Sequence, residues 1–164
     1  MSPTHTVLDS PVGPLTLVAE EGALTALLMG RHRHPGMALG ARRDGDFAAA
    51  AEQLEDYFAG GLTRFELPLA PAGRPFDLRV WALLREIPYG TTRSYAELAR
   101  ELGGTGFSQA VGRANGRNPI GIVVPCHRVV GTDGSLTGYA GGLERKRALL
   151  HLEDPARFGE QLLF

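Results

Sequence analysis

Apolar residues of the first thirty positions recur with a period of two in short stretches, broken by Ser10-Pro11, Gly13-Pro14 and Glu21-Gly22. That period belongs to strands, and those dipeptides are turn formers, so two or three antiparallel strands are expected. Residues 30–46 mix Arg, His, Gly and Ala without a period, which predicts a loop or a poorly packed connection. From 46 to 58 the spacing changes: Phe47, Ala50, Ala51, Leu54 and Phe58 fall on one helical face, and Gly60-Gly61 supplies a stop. Residues 62–69 predict one more strand. Ala70-Pro71-Ala72-Gly73 then marks a boundary between two small domains, 1–73 and 74–164.

Helical spacing dominates the second domain. Leu78, Val80, Trp81, Leu84 and Ile87 trace an amphipathic helix ended by Pro88-Tyr89-Gly90. Ser94 and Glu97 have the capping-box spacing for a second helix through Leu102, with Thr92 as an alternative cap. Gly103 to Gly106 form a turn, and a short third helix covers 107–116. This pair has the proportions of a helix-turn-helix with a slightly long turn, although such pairs also occur as plain packing units. The apolar run 120–124 predicts buried extended chain. A last helix covers 143–152, with Glu153 near its end.

Composition narrows the classes. Of 164 residues 43% are hydrophobic, enough for one sizeable core or two small ones and too apolar for a disordered chain. The first residues show no basic stretch followed by an apolar run, and no apolar window approaches the ~18 residues of a membrane span. One cysteine suits a reducing compartment, so cytoplasm is the expectation. Net charge is −1, yet it divides unevenly: residues 1–73 hold 5 Lys plus Arg against 9 acidic residues, and residues 74–164 hold 12 against 9. The second half is therefore mildly basic, and its basic residues are nearly all Arg, the better geometric match to phosphate.

Cys126 is the nucleophile that context marks out. It follows a buried run and Pro125, and precedes His127 and Arg128. A hydrogen-bonding or cationic neighbourhood raises the thiolate fraction, the species that attacks carbon. The same position also fits a buried small hydrophobe. A metal site is not supported: His32 and His34 lie in an irregular Arg-rich stretch, and no ligand spacing joins the histidines to Cys126. Gly103 to Gly106 lack the Lys-Ser or Lys-Thr of a phosphate loop.

Four blocks, in order, resemble the methylated-DNA–protein-cysteine methyltransferases (O(6)-alkylguanine-DNA alkyltransferases). They are Ile87-Pro88-Tyr89-Gly90-Thr91-Thr92-Arg93-Ser94-Tyr95, Asn115-Gly116-Arg117-Asn118-Pro119, Ile122-Val123-Val124-Pro125-Cys126-His127-Arg128-Val129-Val130, and Gly138-Tyr139-Ala140-Gly141-Gly142-Leu143-Glu144-Arg145-Lys146. The pattern covers roughly residues 75–153. Residues 1–73 resemble the family's small domain more loosely. The resemblance implies an α/β (α+β) fold: a ribonuclease-H-like sheet domain, then a mainly helical domain with a helix-turn-helix.

It also implies a function and roles. An alkyl group passes irreversibly from O(6) of guanine in double-stranded DNA, less efficiently from O(4) of thymine, to Cys126, once per molecule and with no cofactor. His127 matches the base that draws the thiol proton through an ordered water, and Glu153 the carboxylate that orients it. Tyr95 matches the residue that crowds the flipped nucleotide's phosphate and gives a proton to guanine N3. Asn118 matches the brace of the active-site turn. Tyr139, Ala140 and the Cys126 carbonyl would line the guanine pocket. The helix 108–116 would enter the minor groove, with Ala110, Gly112 and Ala114 small enough for close approach. A monomer is expected.

Two departures stand out. Gln109 occupies the place of the arginine that fills the gap left by the flipped base, with Arg113 one turn on as a possible substitute. Ala140 stands where some members carry serine, which implies a roomier, less polar pocket. Three other classes remain on these residues: a damage binder that does not repair, a cysteine hydrolase, and a transcription factor built on the helix-turn-helix.

Overall fold

A computed structural model describes residues 2–30 and 37–158. Among them the chain divides into two compact units, 1–72 with 119–121, and 73–118 with 122–164. No described helix is long and apolar enough to cross a membrane.

The first unit is a four-stranded sheet in the order β3-β2-β1-β4, built from β1 (Thr4–Leu8), β2 (Leu15–Glu20), β3 (Ala23–Met29) and β4 (Ala41–Arg42). Its first three strands are antiparallel and β4 joins β1 in parallel. Glu21 (φ 52°) and Gly22 (φ 81°) make the two-residue connection of β2 to β3, both left-handed as a type I′ turn requires. The centre of β2 is buried at consecutive positions, so both faces of this strand are covered. Val18, Ala26 and Leu28 pack together under Met37 and Leu39. Residues 31–36 of the unpatterned stretch, with His32 and His34, lie outside the described residues. The end of that stretch is more ordered than a loop: β4 gives way to a 3-10 turn over Asp44–Phe47 that leads into α1 (Ala48–Phe58).

Residues 62–69 do not form the expected strand. Gln53 on α1 pairs with both backbone groups of Glu66, its Nε2 donating to Glu66 O at 3.0 Å and its Oε1 accepting from Glu66 N at 2.8 Å. Only Leu69 bridges Leu24, and Pro68, lacking an N–H, can offer just its carbonyl. Leu27 is bridged in the same way by Ile120, so the edge of β3 is satisfied at two points by irregular chain.

The second unit is helical: α2 (Pro75–Arg85), α3 (Tyr95–Glu101), α4 (Ser108–Gly116), α5 (Leu143–Glu153) and α6 (Pro155–Phe158), with a two-residue parallel pair of β5 (Arg93–Ser94) and β6 (Val129–Val130). Pro75 starts α2 at a position where no N–H is needed. Ser94 and Glu97 form the expected capping box on α3: Glu97 N donates to Ser94 Oγ, and Ser94 N to Glu97 Oε1. Gly103 and Gly104, at φ 131° and 151°, carry the turn to α4 in a region closed to most side chains. Buried Trp81 locks α2 to α4 by donating Nε1–H to Ala114 O at 2.8 Å. Asp77 and Arg117 join the same two helices through an ion pair at 2.6 Å.

Candidate active site

The segment leading to Cys126 is buried as expected, but it turns instead of running extended. Residues 121–123 form a turn, and Ile122 takes φ 70°, a conformation that β-branched residues rarely adopt. Asn118 Nδ2 donates to Val124 O at 2.8 Å, which stitches the loop across six residues. Pro125 (φ −80°, ψ 65°) then makes an inverse γ-turn, with Cys126 N donating to Val124 O at 2.8 Å. This places Cys126, His127 and Arg128 in one 3-10 turn in the interior of the second unit.

His127 has no exposed surface, and its Nε2 lies 2.7 Å from Glu153 Oε2. A carboxylate there makes Nε2 the protonated nitrogen, so Nδ1 carries the lone pair. Nδ1 is buried and has no hydrogen-bond partner among the described residues. Burial drives the His127 pKa down, with Glu153 opposing, so the resting imidazole is neutral and can accept a proton. Burial works against the Glu153 charge too, but His127 and Arg128 outweigh it and hold the carboxyl well below its usual range. Arg128 grips that carboxylate with two donors, Nε to Oε1 at 2.7 Å and Nη2 to Oε2 at 3.0 Å, and gives a third to Ile87 O at 2.7 Å. Its guanidinium also lies 5.7 Å from the centre of the Tyr89 ring.

Cys126 as a residue is 6% exposed. Burial raises its pKa, which hydrogen bonds from Asn118 and Tyr139 and the charge of Lys146 partly reverse. At rest the sulfur is thus a protonated thiol that needs a base. Across the pocket, the Tyr95 hydroxyl donates to Thr137 O at 3.2 Å. Burial raises the Tyr95 pKa, so it keeps its proton. Asn115 reaches both sides, its Nδ2 donating to Cys126 O at 3.4 Å while its amide lies against the Tyr95 hydroxyl. Tyr139 is half-buried and Ala140 exposed.

On α4, Gln109 and Arg113 are exposed and Ala110 is half-buried. A Cβ on Gly112 would sit 3.9 Å from the Tyr95 ring, so this glycine lies against the pocket. Ala114 corrects the expectation drawn for it: it is 0% exposed, its carbonyl accepts from Trp81, and it cannot approach a groove. The period of the helix is the reason, since Val111, Ala114 and Asn115 share its buried face.

Arg128 braces the interior, as the resemblance implied, while Asn115 and Lys146 were not legible as site residues. A signal existed for one of them. The buried stripe of α5 is Lys146, Leu149, Leu150 and Glu153, so two ionisable residues occupy the apolar spacing of the helix. Among the described residues no group of three or more His, Cys, Asp or Glu could hold a metal ion.

Comparison with known proteins gives one family throughout. Residues 75–155 match the model of the 6-O-methylguanine DNA methyltransferase DNA binding domain, and residues 4–71 that of its ribonuclease-like domain. A methylated-DNA–protein-cysteine methyltransferase of Mycobacterium tuberculosis is 48% identical over 161 residues, 98% of each chain. One of Methanosarcina acetivorans is 46% identical over 91% of this chain and 97% of its own. The crystal structure of the Mycobacterium tuberculosis O6-methylguanine methyltransferase superposes with a TM-score of 0.88 at 49% identity, covering 94% of both chains. A structure of that organism's protein in complex with DNA gives 0.87 at 50% identity and 92% of both chains.

Proposed function

The chain belongs to the methylated-DNA–protein-cysteine methyltransferase family, and on that premise we propose that Cys126 is the sulfur on which its repair chemistry ends. It is a suicide alkyltransferase: the alkyl group leaves O(6) of guanine in DNA and stays on the protein. The observation that carries the assignment to Cys126 is the pairing of one buried thiol with a neutral histidine whose Nε2 is locked to Glu153 and whose buried Nδ1 has no partner among the described residues.

The chemical step available to this arrangement balances. The thiol proton passes to His127 Nδ1, directly or through one water, and Glu153 steadies the imidazolium. Sulfur attacks the alkyl carbon as the carbon–O(6) bond breaks, and that electron pair goes to guanine. Tyr95 gives its proton to N3 of the departing base, and the proton held by His127 returns to the tyrosine through solvent. A thioether has no acidic proton and no good leaving group, so nothing regenerates the thiol.

Reaching the thiol of a buried cysteine requires the base to leave the helix stack. The exposed Gln109 and Arg113 with half-buried Ala110 offer a surface of α4 to the minor groove of double-stranded DNA, and Tyr139 and Ala140 border the pocket for the flipped guanine. O(4)-alkylthymine is the slower substrate, and one chain acts alone on one lesion. The reading is tested by mass spectrometry after mixing the protein with an oligonucleotide holding one O(6)-methylguanine. A gain of one methylene on the Cys126 peptide, absent in Cys126→Ala, is expected. Tight lesion binding without that gain would make the protein a damage binder.

A further inference from the structure

Asn115 is a buried polar group that this chemistry leaves unused. It stands on the inner face of α4 with Val111 and Ala114, 4% exposed, where an amide needs partners for its N–H groups and its oxygen. Gly112, one turn earlier, brings the same part of α4 to within 3.9 Å of the Tyr95 ring for an added Cβ. Asn115 Nδ2 donates to Cys126 O over a long 3.4 Å, and the amide lies against the Tyr95 hydroxyl. Its Oδ1 is buried and has no hydrogen-bond partner among the described residues. A buried acceptor left empty costs about 1–3 kcal/mol, and a donor that arrives with the substrate recovers it.

The functional reading brings N3 of the departing guanine to the Tyr95 hydroxyl. The ring carbon next to N3 carries the 2-amino group, so N–H donors arrive beside that hydroxyl whenever N3 does. Three acceptors stand in this corner, and two are full. The Cys126 carbonyl accepts from Val129 N and from Asn115 Nδ2, one donor for each lone pair. The Thr137 carbonyl accepts from the Tyr95 hydroxyl and from Lys146. Asn115 Oδ1 is the third. Its burial at rest is no bar to a base, since the same base has to reach the sulfur of Cys126, which is buried too.

We propose that Asn115 is a specificity-determining residue whose Oδ1 accepts a hydrogen bond from the 2-amino group of the flipped guanine, and so favours alkylated guanine over alkylated bases that lack this group. The inference rests on the reading of Tyr95 as the donor to N3. The amino group keeps both its protons throughout, and no covalent bond to it forms or breaks. A thymine lesion carries a carbonyl in that place and offers no donor, which gives a physical reason for its slower repair.

The test compares single-turnover methyl transfer by the full-length protein from two oligonucleotides, one holding O(6)-methylguanine and one O(6)-methylhypoxanthine, the same base without its 2-amino group. The wild type is expected to prefer guanine roughly tenfold or more. Asn115→Leu, similar in shape but without the amide, is expected to slow guanine and shrink that preference below about threefold, with the hypoxanthine rate within about threefold of wild type. Flipping cost and N3 basicity differ between the bases but not between the proteins, so the change of preference isolates the contact. Equal wild-type rates on the two bases, or a preference that survives Asn115→Leu, would overturn the inference. Equal slowing of both bases leaves the preference intact, marks a merely structural amide, and overturns it as well. Asn115→Ala carries the comparison on the same thresholds if Asn115→Leu does not fold. A wild-type chain that takes methyl from neither oligonucleotide overturns the functional reading itself, and a Tyr95→Phe chain as fast as wild type on guanine removes the hydroxyl that places the base; either takes this inference with it.

Discussion

Arg128→Met is expected to show how one carboxylate serves two cations. Glu153 shares its oxygens between His127 and Arg128 in the interior. Removing the guanidinium deprives a buried carboxylate of its permanently charged partner and leaves the Ile87 carbonyl with no donor from this side chain. Breaking a buried pair of this kind costs about 3–5 kcal/mol, which urea unfolding at neutral pH would register. The lost positive charge also makes His127 easier to protonate, so the pH profile of iodoacetamide capture at Cys126 should move to higher pH. At the surface, Gln109→Arg restores a charge at an exposed position of α4. Binding to lesion DNA should tighten, and the slope of log K against log salt should steepen by about one unit. Cys126 and His127 were legible from their neighbours in the chain, but the partner of Arg128 was not. The resemblance implied that Arg128 braces packing and does not touch the base, but its partner Glu153 is 25 residues away and nothing along the chain pairs the two.

Elements were legible where a local rule was enough. The capping box at Ser94 and Glu97 formed because its two hydrogen bonds involve residues only three apart. The turn at Glu21-Gly22 formed for a similar reason, although glutamate is not suited to φ 52°. Glu21→Asn is expected to stabilise the first unit by about 0.5–1 kcal/mol, since asparagine adopts the left-handed region at lower cost; thermal unfolding would show it. The strand expected over 62–69 failed because the side chain of Gln53 captured Glu66, a competitor no alternation pattern contains. The extended run expected over 120–124 failed because Asn118 and Pro125 bend the chain at both ends of it. Burial there was predicted correctly, because hydrophobicity sets burial; the path depended on which carbonyl Asn118 could reach.

Over the whole molecule, acid should loosen the second unit first through two carboxylates. Asp77, held down mainly by its hydrogen bond from Arg117, and Glu153, held down against burial by His127 and Arg128, both lie below their ordinary values of 3.8 and 4.5. A carboxyl depressed in the folded state gives its full stabilisation above the unfolded value. As pH falls below about 4.5 the unfolded chain takes up protons that the folded chain refuses, and stability drops. Urea midpoints between pH 6 and pH 3 should fall, and Asp77→Asn should flatten part of that slope; a midpoint independent of pH over this range would contradict the assignment. By itself the sequence determined the helices of seven residues or more, the Glu21-Gly22 turn, the nucleophile, the order of its motif blocks and, through them, the family. These follow from spacing, capping and residue identity over a few positions. Only the tertiary structure decided which buried charge meets which partner: Arg128 with Glu153, Lys146 with Thr137, Ala114 with Trp81. A charge or a small residue is neutral information along the chain, and its meaning comes from the atom that folding places opposite it.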